Sequence, residues 1–263
     1  MVVQHNMQAA NTNRMLGKAA LSVSGAAEKL ASGYKVNRAA DDAAGLSISE
    51  KMRAQISGLN QAVENAQDGI SLIQTAEGNM NEMHSILNRM ETLADKAAND
   101  VNATEDRTTI ANEMKQLNDE LGSIKTRAKY NGKALSNFTG YLQVGANAGD
   151  NMKIEAKVSV SVGATAVDSH ANAAQTLTNV QNAIKSVSEQ RSQLGAVQNR
   201  LGYTVNSVSN YAENLQSAES RIRDTDMATE MTKYSSANIV QQASQSMLAQ
   251  ANQATQGVLS LLG

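Results

Sequence analysis

The sequence predicts a mainly α protein: a long antiparallel helical rod, or coiled coil, formed by the N- and C-terminal halves of the chain, with a small β-hairpin region in the middle. Three observations support this fold class. Apolar residues recur at heptad spacing over long stretches, proline is absent from the 263 residues, and strand-like alternation occurs only near the middle of the chain. Heptad spacing is typical of packed helices, and without proline no helix has to break.

The longest heptad row lies in the C-terminal half of the chain. At about 1.5 Å per residue it is about 63 Å long, more than one compact globule can cover. We therefore predict a helix from about residue 171 to 223 that packs against partners of similar length, followed by an interruption at residues 224–231 and a final helix. The row consists of Val180, Val187, Leu194, Leu201, Val208, Leu215 and Ile222.

The N-terminal half predicts three further helices. A narrow apolar row predicts the first over about residues 5–31. Heptads predict the second over about residues 42–98, with one residue lost after Ile73, which locally overwinds a coiled coil. After the polar residues 99–106, a row that begins at Ile110 predicts a third helix. The short polar turn favours an antiparallel return.

The rhythm changes to strand-like alternation at residues 131–168. The dipeptide Asn131-Gly132 is a turn signal. Residues 141–144 and 154–162 alternate between apolar and other side chains, so each is predicted as a strand. In the second of these segments one predicted face carries Ile154, Ala156, Val158, Val160 and Val162.

Both chain ends predict thin, weakly charged helices. Residues 234–263 contain no charged side chain but six glutamines. Such a surface favours packing against other helices, whose amides can satisfy one another. Because neither end buries much apolar area, we expect both to fray in the isolated monomer and to order on assembly. The predicted contact residues, here called the terminal seam, are Leu16, Val23, Leu30, Val240, Met247, Ala254, Val258 and Leu261.

The composition argues against several classes of function. A net charge of −2 argues against a nucleic-acid binder, and no stretch approaches the ~20 apolar residues that membrane insertion needs. There is no cysteine, and the N-terminus lacks an apolar signal-peptide core. The three histidines are scattered, and the pair Asp41-Asp42 is expected to cap the second helix. We predict no enzyme, no metal site and no cofactor.

Three segments are similar to one protein family. They are residues 30–83, which begin LASGYKVNRAADD, residues 142–150, LQVGANAGD, and residues 194–262, which include RIRDTDMATEM. The chain resembles the bacterial flagellins along nearly its whole length. Because the middle is short, it resembles a minimal flagellin without large outer domains.

The resemblance implies a domain organisation. Residues 1–36 and 230–263 would be terminal helices that form the filament core, where the terminal seam would lie. Residues 37–130 and 169–229 would form the helical rod domain, and residues 131–168 a short β excursion within it.

The resemblance also implies the function. The chain would be a structural subunit that self-assembles into the extracellular flagellar filament for motility, exported without a cleaved signal peptide. Its partners would be copies of itself, the flagellar cap, the hook–filament junction proteins and an export chaperone. One alternative is a hook–filament junction protein, which shares similar terminal helices. Another is a cytoplasmic signalling coiled coil, but that class would carry charged faces to the end of the chain, unlike residues 234–263.

A receptor contact is implied as well. Vertebrate Toll-like receptor 5 recognises the rod domain of many flagellins, and the family pattern places Arg89, Leu93 and Glu113 at the contact positions. Next to them, Glu91 and Thr92 replace a basic-acidic pair of the better-known pattern. Assembly would cover part of this surface, so the receptor would bind the monomer better than the filament.

Overall fold

The structure is a computed structural model that describes residues 6–163 and 165–262. The side chains of residues 255–262 are outside the described part, so Val258 and Leu261 of the terminal seam are too. In the described residues, five helices and four short strands follow one another, and the mainly α fold class is confirmed. The elements are α1 (Met7–Ser32), α2 (Ala43–Ala97), α3 (Thr104–Arg127), β1 (Lys129–Tyr130), β2 (Lys133–Ala134), β3 (Phe138–Gln143), β4 (Asn151–Ala156), α4 (His170–Arg223) and α5 (Met227–Leu262).

The chain divides into two compact units. The terminal unit joins Met1–Ala54 with Asn214–Gly263, and the central unit is Gln55–Glu213. The boundaries therefore fall inside α2 and α4. The division into filament core and rod domain concerns the assembled polymer and stays a prediction.

In the central unit, α2 and α4 run antiparallel. Arg191 of α4 lies 3.5 Å from the carboxylate of Glu77, and Gln181 donates to Glu91 at 3.2 Å. The heptad row of α4 faces this core: Val180, Val187, Leu194 and Leu201 are buried. From the lost residue onward the predicted row of α2 is buried, at Ile73, Ala76, Met80, Met83, Leu87 and Met90. Before it, the buried Leu59 and Ala66 alternate with the half-buried Ile56, Val63 and Ile70. Both predicted rows are confirmed in this unit.

Helix α3 returns along α2 as predicted. Ile110, Met114 and Leu121 are its buried residues. At the turn, Arg107 donates to Asp100 at 2.9 Å. The short polar connection thus produces an antiparallel helical hairpin.

The β-hairpin β3–β4 covers one part of the helical core. Its antiparallel register joins Phe138 to Ala156 and Gln143 to Asn151. A Cβ on Gly69 of α2 would lie 2.2 Å from Leu142 Cδ1, so glycine permits the hairpin to approach the helix closely.

The predicted strand over residues 154–162 is wrong in its extent. Strand β4 begins at Asn151 and ends at Ala156, because its partner β3 begins at Phe138 and offers nothing further to pair with. The Val158 N–H donates instead to Leu135 O at 3.0 Å. Val158 and Val162 are nevertheless buried. The apolar alternation of residues 154–162 therefore predicted which side chains are buried, but not where the strand ends.

In the terminal unit, α1 packs antiparallel along α5. Asn6, which caps α1, donates from Nδ2 to Ala251 O at 3.0 Å. Gly33 ends α1 in the left-handed conformation with φ 77°, a geometry that glycine adopts without strain. Thr225 N–H donates to Gly33 O at 2.9 Å, and this bond ties the two connectors together.

The interruption predicted over residues 224–231 is shorter in the structure, because the final helix already begins at Met227. Asp226 accepts hydrogen bonds from the N–H groups of Ala228 and Thr229 at 2.9 and 3.2 Å. This cap satisfies the first free N–H groups of a helix, so α5 starts at Met227.

Candidate assembly and recognition surfaces

The face that α1 presents to α5 is built from small and medium apolar residues. Ala19 and Ala26 are buried, and Leu16, Val23 and Leu30 of the terminal seam are half-buried. The N-terminal part of the terminal seam is thus partly covered within one chain, and its contact with other copies stays a prediction.

Helix α5 separates its apolar residues into two faces. Ala251 is buried and Leu248 is half-buried on the side that packs on α1. Beside this face runs an exposed row, here called the outer row. It consists of Val240, Ala243, Met247 and Ala254.

The outer row contains three predicted terminal-seam residues, Val240, Met247 and Ala254. They do not face α1, because all three are exposed whereas Ala251 of the same helix is buried. Both Val240 and Met247 are more than half exposed, at 55% and 54%, and Ile239 beside them is exposed as well. An apolar row on a charge-free stretch of helix is costly in water and suits burial against another protein surface.

Helix α1 also exposes large apolar side chains that the sequence reasoning missed. Met7, Met15 and Leu21 are exposed. Their positions lie off the heptad row, so periodicity alone could not single them out. The available signal was only that these side chains are large and apolar.

The three predicted receptor-contact residues lie together in the central unit. Arg89 donates from Nε and Nη2 to Glu113 Oε1 at 2.9 and 2.6 Å, across the hairpin of α2 and α3. Both side chains are exposed. They line a groove of about 580 Å³ together with Leu93, Lys96 and Ile110.

Leu93 differs from its two neighbours because it is buried. It is 5% exposed, as is Ile110 across the groove. Leu93 therefore forms part of the apolar floor and the Arg89–Glu113 ion pair part of the rim. Thr92 lies on the groove, whereas Glu91 accepts a hydrogen bond from Gln181 of α4.

The side chains of Asp41 and Asp42 accept hydrogen bonds from backbone N–H groups. Asp42 Oδ1 accepts from Gly45 N–H at 2.9 Å, so the predicted cap of α2 is confirmed. Asp41 accepts from the N–H groups of Arg38 and Asn37, and these bonds lower the pKa of its carboxyl group. Within the described residues, no three metal-ligating side chains cluster. No described helix combines the length and the apolar content that a bilayer crossing requires.

Two family models match the chain and cover most of it. The description "Bacterial flagellin N-terminal helical region" matches residues 3–141, and "Bacterial flagellin C-terminal helical region" matches residues 177–262. The chain belongs to the bacterial flagellin family.

Relatives matched over their full length support this membership. The chain is similar to a flagellin of Halalkalibacterium halodurans, 49% identical over all of both chains, and to a flagellin of Bacillus subtilis, 45% identical over the same full coverage. It is also 44% identical to a flagellar filament 33 kDa core protein of Treponema phagedenis, again over both full chains.

Solved structures show the same fold. Bacillus cereus flagellin aligns with a TM-score of 0.51 and 28% identity, over 59% of this chain and 94% of that one. A putative flagellar hook-associated protein of Vibrio parahaemolyticus aligns with a TM-score of 0.60 over 70% of this chain and all of that one. At 13% identity the second likeness concerns the fold alone. As a flagellin, the chain is a structural subunit of the extracellular flagellar filament and not an enzyme.

Proposed function

We propose that this flagellin builds its filament by burying the ends of α1 and α5 against other copies of the chain. The observation that supports this is the outer row of α5: apolar, exposed, and set in a segment free of charge from residue 234 onward. A contact that does not close on itself generates an open filament from one kind of subunit.

The terminal seam then has two roles. Leu16, Val23 and Leu30 pack inside one subunit, whereas Val240, Met247 and Ala254 contact neighbouring subunits. Val258 and Leu261 are assigned to the same filament core from their heptad positions. Repacking of these thin contacts between alternative arrangements would give the filament its supercoil for motility.

A charge in the outer row should block polymerisation. Val240→Asp places a carboxylate in the proposed subunit contact, where an unpaired charge costs about 3 kcal/mol. That cost raises the critical concentration about a hundredfold. Sedimentation of seeded polymer measures it, and circular dichroism should find the monomer equally helical, because Val240 is exposed there.

The matched control is Val101→Asp. Val101 is also exposed, at 88%, but lies in the turn between α2 and α3 without an apolar row around it. It should polymerise within about twofold of the unaltered chain. Normal filaments from Val240→Asp, or equal loss in both variants, would refute the proposed contact.

We further propose that the subunit leaves the cell without a cleaved signal peptide and meets the flagellar cap, the hook–filament junction proteins and an export chaperone. The absence of cysteine suits a chain that crosses compartments unfolded. The rival role as a hook–filament junction protein is separated by electron microscopy of the purified chain, which should grow long filaments.

A second proposed function is recognition by Toll-like receptor 5 through Arg89, Leu93 and Glu113. The observation that favours it is their meeting in one groove, with charged groups at the rim and Leu93 on the floor. Charged rims with an apolar centre are typical of protein recognition surfaces.

Loss of either rim charge should weaken receptor binding. Because a hydrogen bond to a charged group contributes about 1.5–3 kcal/mol, Arg89→Ala or Glu113→Ala should reduce affinity at least about tenfold in a titration with receptor ectodomain. Monomer stability should change by less than about 1 kcal/mol, since the pair is exposed.

The control is Arg127→Ala, which removes one partner of another exposed Arg–Glu pair, Arg127 with Glu120 of α3. Its affinity should stay within about twofold of the unaltered chain. Equal affinity of all three variants would remove Arg89 and Glu113 from the contact.

A further inference from the structure

The methionines of this chain are divided between two environments. Twelve are present, and cysteine and tryptophan are absent. In the central unit every methionine is at most 8% exposed. These residues are Met80, Met83, Met90, Met114 and Met152.

The methionines of α1 and α5 have the opposite environment. Their exposed fractions lie between 48% and 74%. Met52, in the first turns of α2, is half-buried, and Met1 lies outside the described residues. The exposed set is Met7, Met15, Met227, Met231 and Met247.

Exposure decides how fast a thioether meets a dissolved oxidant. Thiols are the faster competitors for peroxide in most proteins. This chain has none, so the exposed thioethers are its most accessible oxidisable sulfur atoms. The five buried methionines are shielded by the core of the central unit.

We propose that Met7, Met15, Met227, Met231 and Met247 form an oxidation site for peroxides, and that their conversion to sulfoxides blocks polymerisation of the free subunit while the central unit stays folded. The proposal rests on the proposed function, because it assumes that α1 and α5 contact other copies.

The reaction is an oxygen transfer. The thioether sulfur attacks one oxygen of hydrogen peroxide, an S–O bond forms and the O–O bond breaks. The departing hydroxide takes up the proton of the oxygen that is now bonded to sulfur, and it leaves as water. Sulfur is oxidised by two electrons and the peroxide is reduced by two.

The product changes the surface that assembly uses. A sulfoxide is polar and chiral, and it disrupts interfaces in which methionine served as a flexible apolar side chain. Met247 belongs to the outer row of α5, and Met7 and Met15 lie on α1. Once the subunits are packed, the same contacts would shield the sulfur atoms, so oxidation would act before assembly.

The first experiment measures site-resolved oxidation by peptide mass spectrometry after hydrogen peroxide treatment. In free subunits the five exposed methionines should convert at least about tenfold faster than Met80, Met83, Met90, Met114 and Met152. In preformed filaments the same five should convert at least about fivefold more slowly than in free subunits. Equal rates for both sets in the free subunit would overturn the site.

The second experiment measures polymerisation. Treated subunits should lose at least about nine-tenths of seeded filament growth, and methionine sulfoxide reductases of both stereospecificities should restore it. In a partly oxidised sample, the pelleted polymer should be depleted of sulfoxide at the five positions relative to the supernatant. Full conversion with unchanged growth, or a loss that reduction does not reverse, would overturn the proposal.

A variant with leucine at the five positions is the matched control. Leucine keeps the volume and apolar character of methionine and favours a helix equally. Filaments of this variant should grow equally before and after peroxide treatment; inhibition by peroxide would refute the assignment. If the untreated variant does not polymerise, the distribution of sulfoxide between polymer and supernatant of the natural chain still tests the proposal. If untreated natural chain forms no filaments, the proposed function fails, whereas the oxidation rates still test the site.

Discussion

At the scale of single residues, the start of α5 depends on Asp226. The N–H of Thr229, then its hydroxyl group and the N–H of Ala228, lower the pKa of this carboxyl group below its ordinary value. Each of these bonds favours the charged form of the carboxylate. The side chain thus couples protonation to the order of the first turn of the helix.

We predict a pH-dependent effect of Asp226→Asn. Because the folded-state pKa is lowered, the stabilisation is present above the unfolded pKa of about 3.9 and is lost as the pH falls through the folded value. The variant should therefore be less stable than the unaltered chain at about pH 7, with the difference shrinking below about pH 4. Denaturant titrations at several pH values measure this, and a difference independent of pH would contradict it.

At the scale of elements, heptad spacing was sufficient to predict the long helices. Sequence predicted α1 at about residues 5–31 and α2 at about residues 42–98, against Met7–Ser32 and Ala43–Ala97 in the structure. Long repeats without proline leave few alternatives to a helix. The heptad rows of α2 and α4 also predicted residues that the central core buries, among them Ile73 and Leu201.

Features set by tertiary contacts were harder to predict. The end of β4 at Ala156 depends on where its partner strand begins, which alternation within one segment cannot report. The start of α5 depended on one capping side chain inside a segment that resembled a turn. Similarly, spacing placed Val240 and Met247 on the terminal seam together with Leu16 and Val23, although Val240 and Met247 are exposed and do not face α1. Which apolar residues of α5 are buried depends on how wide its contact with α1 is, and spacing within one helix does not report that width.

The receptor-contact residues came from resemblance and not from periodicity. Taken separately, Arg89 and Glu113 are ordinary helix charges, 24 positions apart. The antiparallel return of α3 brings them together, and the same turn places Ile110 beside Leu93. The helical hairpin predicted from the heptads is therefore needed to bring these residues into one groove. Heptad spacing does not, however, indicate which protein would bind there.

At the scale of the whole molecule, the two units differ in how their apolar residues are used. The central unit buries its large residues in one core formed by helices α2, α3 and α4 and the β-hairpin. The terminal unit contributes mainly alanines to its own interior and leaves Val240, Ile239 and Met247 exposed. Ordering costs about 1–2 kcal/mol per residue, which thin contacts offset poorly. The ends of the chain are therefore expected to gain their full stability from other subunits.

Hydrogen exchange followed by mass spectrometry, on dilute monomers and on filaments, tests this central claim most directly. In monomers the amides of α1 and α5 should exchange at least about a hundredfold faster than in filaments, because these helices bury mainly alanines and their local opening exposes little apolar area to water. Amides of α2 and α4 in the central unit should be protected in both states. Full protection of α1 and α5 in the dilute monomer would contradict the account.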